Sequence, residues 1–159
     1  MVVRRERQER ACMGTLAGKK WLPRDVAALL HDNGWADDHL VDMIATIGAE
    51  SDFFDEAVGD PHPDGTIDKG LFQLNSIHAP DWSMDDAEFT AMAFDPTKAV
   101  KYARELWLDA GKQFGNPFEP WAAHTNGSYK TFMKQAIVGN ANRKCVVEGI
   151  DPVVRYGKG

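Results

Sequence analysis

Apolar residues recur at helical spacing from Leu22 onward. Val26, Ala27, Leu29 and Leu30 form a stripe behind Pro23, a residue suited to a first helical position, and Asn33-Gly34 supplies a stop. A second stripe, Leu40, Val41, Ile44, Ala45, Ile47 and Gly48, predicts a helix that Asp37 caps and that runs up to Glu50. The pattern then breaks. Gly59, Pro61, Pro63 and Gly65 punctuate residues 55–68 too closely for a helix, so a small sheet, one hairpin, belongs there. Helical spacing resumes briefly at 85–92 and more clearly after Asp95-Pro96, where Ala99, Val100, Ala103, Leu106, Trp107 and Ala110 share a stripe that Gly111 closes. A helix or short turn starts near Glu119, and residues 129–138 predict a last helix ended by Gly139-Asn140. Beyond Arg143 the chain, with Asp151-Pro152, reads as irregular or extended. The layout is mainly α with a small β excursion between the second and third helices: a basic arm (1–20), a folded domain (21–143) and a tail (144–159).

Composition narrows the class. A chain of 159 residues holds one comfortable core, and 43% hydrophobic residues, 26% charged residues and five Trp are the balance of a folded domain. The net charge of −6 argues against a nucleic-acid partner, which calls for a basic face. The charge is uneven: Arg4, Arg5, Arg7, Arg10, Lys19 and Lys20 against Glu6 and Glu9 give the arm +4, leaving −10 for the rest. Such an arm solvates itself or docks to an acidic neighbour. Two cysteines, Cys12 and Cys145, make neither a disulfide framework nor a zinc site. The stretch from Ala11 to Ala17 is too weakly apolar for a secretory leader, and no run approaches the ~20 apolar residues of a membrane span. The expectation is synthesis in the cytoplasm, with delivery by some other agent if the protein acts outside it.

The chemistry concentrates on two carboxyl groups. Glu50 ends an apolar helix, where the negative pole of the macrodipole and the flanking Ile47, Phe53 and Phe54 both disfavour its charge, as a general acid requires. Asp68 lies in the turn-rich segment beside Asp64, Thr66 and Lys69, where water and hydrogen bonds keep it ionised. One neutral and one charged carboxyl group is the pairing by which glycosidases cleave an acetal.

The order of residues around this pair is more specific. "AESDFFDEAVGDPHPDGTIDKGLFQLNS", from Ala49 to Ser76, resembles the core of c-type lysozymes, in which a catalytic Glu opens an "ES-x-F" and an Asp precedes a "Y-G-I-L-Q-I-N-S". Glu50, Ser51 and Phe53 match the first part; Asp64-Gly65, Asp68, Gly70, Gln73, Asn75 and Ser76 match the second. "FDPTKAVKYARELW" and "PWAAHTNGSY" extend the likeness more weakly, to about 37–132, and the same "ES…GLFQ…NG" order occurs in bacteriophage lysozyme-like proteins and lytic transglycosylases.

The resemblance implies a lysozyme-like fold, mainly α with a β-hairpin forming one side of a cleft, that hydrolyses the β-1,4 bond between N-acetylmuramic acid and N-acetylglucosamine in peptidoglycan without a cofactor or metal. Glu50 would protonate the leaving oxygen and Asp68 would stabilise or attack the oxocarbenium-like centre. Gly65 and Gly70 would bring the backbone close to a ligand, Gln73 and Asn75 would bind N-acetyl groups or orient water, and Phe72 and Leu74 would anchor the segment. Trp121 would wall the acid, and Asn126 and Tyr129 would line the cleft. The departures are the absent disulfides, Lys69 in place of an aromatic, and the absence of paired Trp from "SIHAPDW", where Trp82 would stand in.

Two rivals remain. A lytic transglycosylase would use Glu50 as acid and then base, closing a 1,6-anhydro ring; Asp68 argues for hydrolysis instead. A non-catalytic component of a virion, tail or cell wall would keep the fold for binding, and the basic arm fits a part assembled into a larger phage particle. His62, His78 and His124 lack metal-ligand spacing, and "DPHPDGTID" lacks the closing Glu of an EF-hand. Trp21, Trp35 and Trp107 are expected in the core.

Overall fold

The computed structural model describes residues 14–147; the arginines of the arm, Cys12 and the tail from 148 onward, with Asp151-Pro152, lie outside the described residues. The described chain is mostly helical. Helices α1 (Pro23–Asp32) and α2 (Asp37–Ser51) precede the two-residue strands β1 (Asp68–Lys69) and β2 (Leu74–Asn75) and a 3-10 turn, Ser76–His78. Then come α3 (Asp86–Ala93), α4 (Pro96–Phe114), α5 (Ala122–Thr125), a second 3-10 segment (Ser128–Phe132) and α6 (Met133–Val147). The chain forms two compact units, residues 14–20 with 50–103 and residues 21–49 with 104–147, so that α2 and α4 each pass from one to the other.

In the unit of residues 21–49 and 104–147, α1 begins at Pro23 as the sequence predicts. It ends where the Asn33 side chain donates to the Leu29 carbonyl (2.8 Å) and Gly34 turns left-handed at φ +96°. Asp37 does not cap α2. The carbonyl of Ala36 accepts from His39 and Leu40, which makes Asp37 a first-turn residue, and its carboxylate instead meets Lys144 Nζ (2.8 Å) and Arg143 Nη2 (3.3 Å) of α6. An acid there also suits the positive helix pole. Helix α4 runs past Gly111 to Phe114, and the left-handed residue after it is Gly115. Leu30, Trp35, Leu40, Met43, Ile44 and Ile47 are buried. Arg104 lies over the rings of Trp35 and Trp107 (5.0 and 5.1 Å to their centroids), so both tryptophans belong to the core as expected.

Helix α6 corrects two sequence readings. It crosses Gly139-Asn140 without a break and continues through Val147, so residues 144–147, assigned to an irregular tail, are helical. Gly139 is there for proximity and not for termination: a Cβ would stand 2.7 Å from Pro23 Cβ, and only its absence lets α6 pack on α1. Asn140 and Arg143 are buried past that crossing, with Arg143 Nε donating to Asn140 Oδ1 at 3.0 Å.

In the other unit, residues 14–20 run beside 54–58. Thr15 and Val58 exchange backbone bonds of 2.7 and 2.8 Å, and Asp55 and Glu56 donate to the carbonyls of Lys19 and Ala17. The end of the basic arm is thus part of the folded body. The hairpin lies just beyond the turn-rich segment, with Asp68 opposite Asn75 and Lys69 opposite Leu74, and Val58 adds a bridge to Lys69. Helix α3 opens on a reciprocal cap between Asp85 and Glu88. Phe53, Leu71, Phe72, Leu74, Phe89 and Met92 fill this core. Burial of a side chain of the size of Phe72 or Leu74 contributes roughly 1.5–3 kcal/mol, which fixes the segment that carries Gln73 between them and Asn75 directly after.

Candidate active site

Glu50 is the next-to-last residue of α2 and is half-buried. The backbone after it is unusual. Asp52 and Phe53 both take positive φ, +50° and +67°, a region that costs an ordinary L-residue roughly 1–2 kcal/mol. Three contacts hold them there: Phe53 is 1% exposed, Phe54 N–H donates to the Ser51 carbonyl (3.0 Å), and Lys20 Nζ reaches Asp52 Oδ2 (3.5 Å). Strain of this kind, immediately after a carboxyl group at a helix end, marks a segment whose position is enforced by its surroundings.

The Ser51 hydroxyl then donates to the Leu71 carbonyl at 2.8 Å and ties the helix end to the segment between β1 and β2. That segment is braced internally. Gly70, at φ +84°, comes against the Ala93 carbonyl so closely that a Cβ would overlap its oxygen. Its close approach is therefore to the protein's own backbone. Gln73, at φ +50° and 8% exposed, spends its amide nitrogen on the carbonyls of Gly70 (2.9 Å) and Ala57 (3.1 Å). Asn75 Oδ1 accepts from Ile77 N–H (2.8 Å) and caps the 3-10 turn. Asp68 is fixed through its backbone, whose carbonyl accepts from Gly59 N–H (2.8 Å). Its Oδ2 lies 2.9 Å from His62 Nε2. That bond is the first cause of a raised His62 pKa, while burial pushes His78 down.

Glu50, Asp68, Gln73 and Asn75 thus share one unit, with Asp68 and Asn75 paired across the ladder. Trp121, Asn126 and Tyr129 belong to the other. Trp121 is 2% exposed and precedes α5; Asn126 follows α5, exposed, its Oδ1 accepting from Ser128 N–H (2.8 Å). Tyr129 stacks on His124 (4.3 Å between ring centres), which stacks in turn on Phe118 (4.0 Å) and reaches Asp42 Oδ2 at 3.5 Å. Trp82 is only partly exposed and sits among His78, Phe89 and Tyr102. Metal-ligand spacing is silent on the contacts that His62 and His124 make with Asp68 and Asp42. An Asp six positions after a His across a Pro/Gly turn was the available signal for the first.

Residues 33–146, more than two thirds of the chain, match the family described as transglycosylase SLT domain. The chain belongs to that family. No curated protein and no solved structure matches it. Membership agrees with the lysozyme-like resemblance and with the mostly helical fold carrying one small sheet, and it makes this SLT domain part of a group that acts on the glycosidic bonds of peptidoglycan. Among the described residues no His, Cys, Asp or Glu group is arranged to hold a metal ion, and no helix is long and apolar enough to cross a membrane.

Proposed function

We propose that this SLT domain cleaves the β-1,4 bond between N-acetylmuramic acid and N-acetylglucosamine, with Glu50 protonating the leaving oxygen and the muramic 6-hydroxyl closing a 1,6-anhydro ring. The observation that carries this reading is the Asp68–His62 contact at 2.9 Å. A carboxylate bonded to an imidazole with a raised pKa is partly neutralised, which leaves Glu50 as the acid and then the base. The family match supports the same outcome.

Hydrolysis by a muramidase mechanism is the second reading, favoured by the presence of a second carboxyl group in the same unit as Glu50. In either case Asn75 is proposed to contact N-acetyl groups through its side-chain nitrogen, Gln73 to set the shape of the loop, and Trp121, Asn126 and Tyr129 to bind substrate. Mass spectrometry of cell walls digested at mildly acidic pH decides between the outcomes: a majority of products lighter by one water supports the transglycosylase reading, and a majority of reducing muramic ends overturns it. Absence of any cleavage would favour a purely binding role in a wall or virion assembly.

A further inference from the structure

The loop that presents His62 is built to hold it. His62 N–H donates to the Thr66 carbonyl and Gly65 N–H to the His62 carbonyl, both at 2.8 Å, and Asp64 Oδ1 accepts from Thr66 N–H and Oγ1 (2.9 and 2.6 Å). Asp68 is held separately, by its pairing with Asn75 and by the bond from Gly59. Two independently fixed backbones therefore bring Nε2 and Oδ2 to 2.9 Å, with His62 45% and Asp68 26% exposed, so the pair exchanges protons with solvent. An exposed ion pair of this kind contributes little stability. Its consequence is for the charge on Asp68.

We propose that His62 is a positioning residue for the cleavage reaction, orienting the Asp68 carboxylate and, by carrying or losing its own charge, deciding whether the muramic 6-hydroxyl or water completes the reaction; this rests on the roles given above to Glu50 and Asp68. In both branches the C1–O4 bond breaks as Glu50 gives its proton to O4 of the leaving sugar. With His62 charged, the Asp68 carboxylate is held in its pairing with the imidazolium; muramic O6 attacks C1, its proton passes to the Glu50 carboxylate, and the acid is restored. With His62 neutral, Nε2–H still orients Asp68 but its charge is uncompensated. Water then attacks C1 and gives a proton to Asp68, after which both carboxyl groups re-equilibrate with solvent.

The neighbouring charges leave His62 as the controlling group. Asp64 adds to the field that favours its protonated form. His78 also feels Asp68, but burial lowers its pKa, so it loses its proton before His62 does. Lys69 turns its ammonium to Thr90 Oγ1 (2.7 Å) on α3.

The test is the ratio of hydrolysed to anhydro ends across about pH 5 to 8, the range in which imidazoles titrate. For the wild type the ratio is expected to rise about tenfold or more, since a positioned base is worth about 10²-fold at full effect. His62→Gln, which keeps a donor without a charge, should give a ratio that is flat and set at the high-pH level; Asp68→Asn should give a flat ratio at the low level. A wild-type ratio independent of pH, or an unchanged rise in His62→Gln, overturns the proposal. Imidazole NMR decides the pair without activity: Asp68→Asn should return the His62 pKa toward its ordinary value, and an unmoved titration overturns the pairing. Full cleavage by Glu50→Gln would instead overturn the underlying site assignment and leave the NMR result standing.

Discussion

The hydroxyl of Ser51 donates to the carbonyl of Leu71 at 2.8 Å, and this buried bond joins the residue after Glu50 to the loop between β1 and β2. Replacing Ser51 by Ala leaves the Leu71 carbonyl short of a donor inside the core. The expected cost is about 1–3 kcal/mol of stability by urea unfolding. Activity should fall further than stability accounts for, because the two strained residues after Ser51 lose one of the contacts that place them. Equal fractional losses of folded protein and of rate would count against that second effect.

Glu50→Gln should abolish cell-wall clearing while the unfolding midpoint stays near that of the wild type. The amide is nearly isosteric, and its position is half-buried, so shape is preserved while the transferable proton is lost. Turbidity assays on purified walls at matched concentrations of folded protein measure this. Clearing at the wild-type rate removes Glu50 from the role of acid.

Two helical glycines should respond in opposite directions to Ala. Gly→Ala in a helix interior is ordinarily worth about 1 kcal/mol of stabilisation. At Gly139 the new Cβ would stand 2.7 Å from Pro23 Cβ and 2.8 Å from its carbonyl carbon, so overpacking of about 1–3 kcal/mol outweighs the helical gain and the variant is less stable. At Gly111 the nearest atom is Pro117 Cβ at 3.5 Å, an ordinary contact, and the variant should be more stable. Thermal unfolding of the two proteins side by side gives the signs.

The same glycines show where sequence reading stops. The stripes of α1, α2 and α4 were legible because helical periodicity is a local property, and Asn33-Gly34 acted as the stop it was read to be. Gly111 and Gly139 carry the same local signal, yet both lie inside helices that continue past them, and only at Gly139 does a packing partner, the sequence-distant Pro23, require the missing Cβ. The candidate site divides similarly. The order Glu50, Asp68, Gln73, Asn75 is plain in the sequence, and Phe72 and Leu74 are buried as expected, but Leu71 and Gln73 are buried with them, so a strand's alternation does not describe the segment. That Gln73 folds its amide nitrogen back onto Gly70 and Ala57 follows from a positive φ at a non-glycine residue, which no periodicity reports.

Asp37 and His62 should make opposite contributions to the dependence of stability on pH. The Lys144 ammonium bonded to Asp37, with Arg143 beside it, holds that carboxyl below the usual range, so its contribution is present above the ordinary carboxylate pKa and is lost as pH falls through the depressed value. His62 is raised, so its contribution is complete below the ordinary imidazole pKa and is lost as pH rises through the elevated one. The deficit of Asp37→Asn relative to the wild type should therefore be largest at neutral pH and vanish in acid, whereas that of His62→Gln should be largest in mild acid and vanish on the alkaline side. Asp37 is 53% exposed and its pairing with Lys144 is screened by salt, but Arg143 is only 6% exposed and would keep Asn140 as its remaining partner. The Asp37→Asn deficit should accordingly shrink in high salt without disappearing. Unfolding midpoints across pH at two ionic strengths measure both effects, and a deficit for Asp37→Asn that persists unchanged in acid would mean that lost packing, and not the ion pair, is responsible.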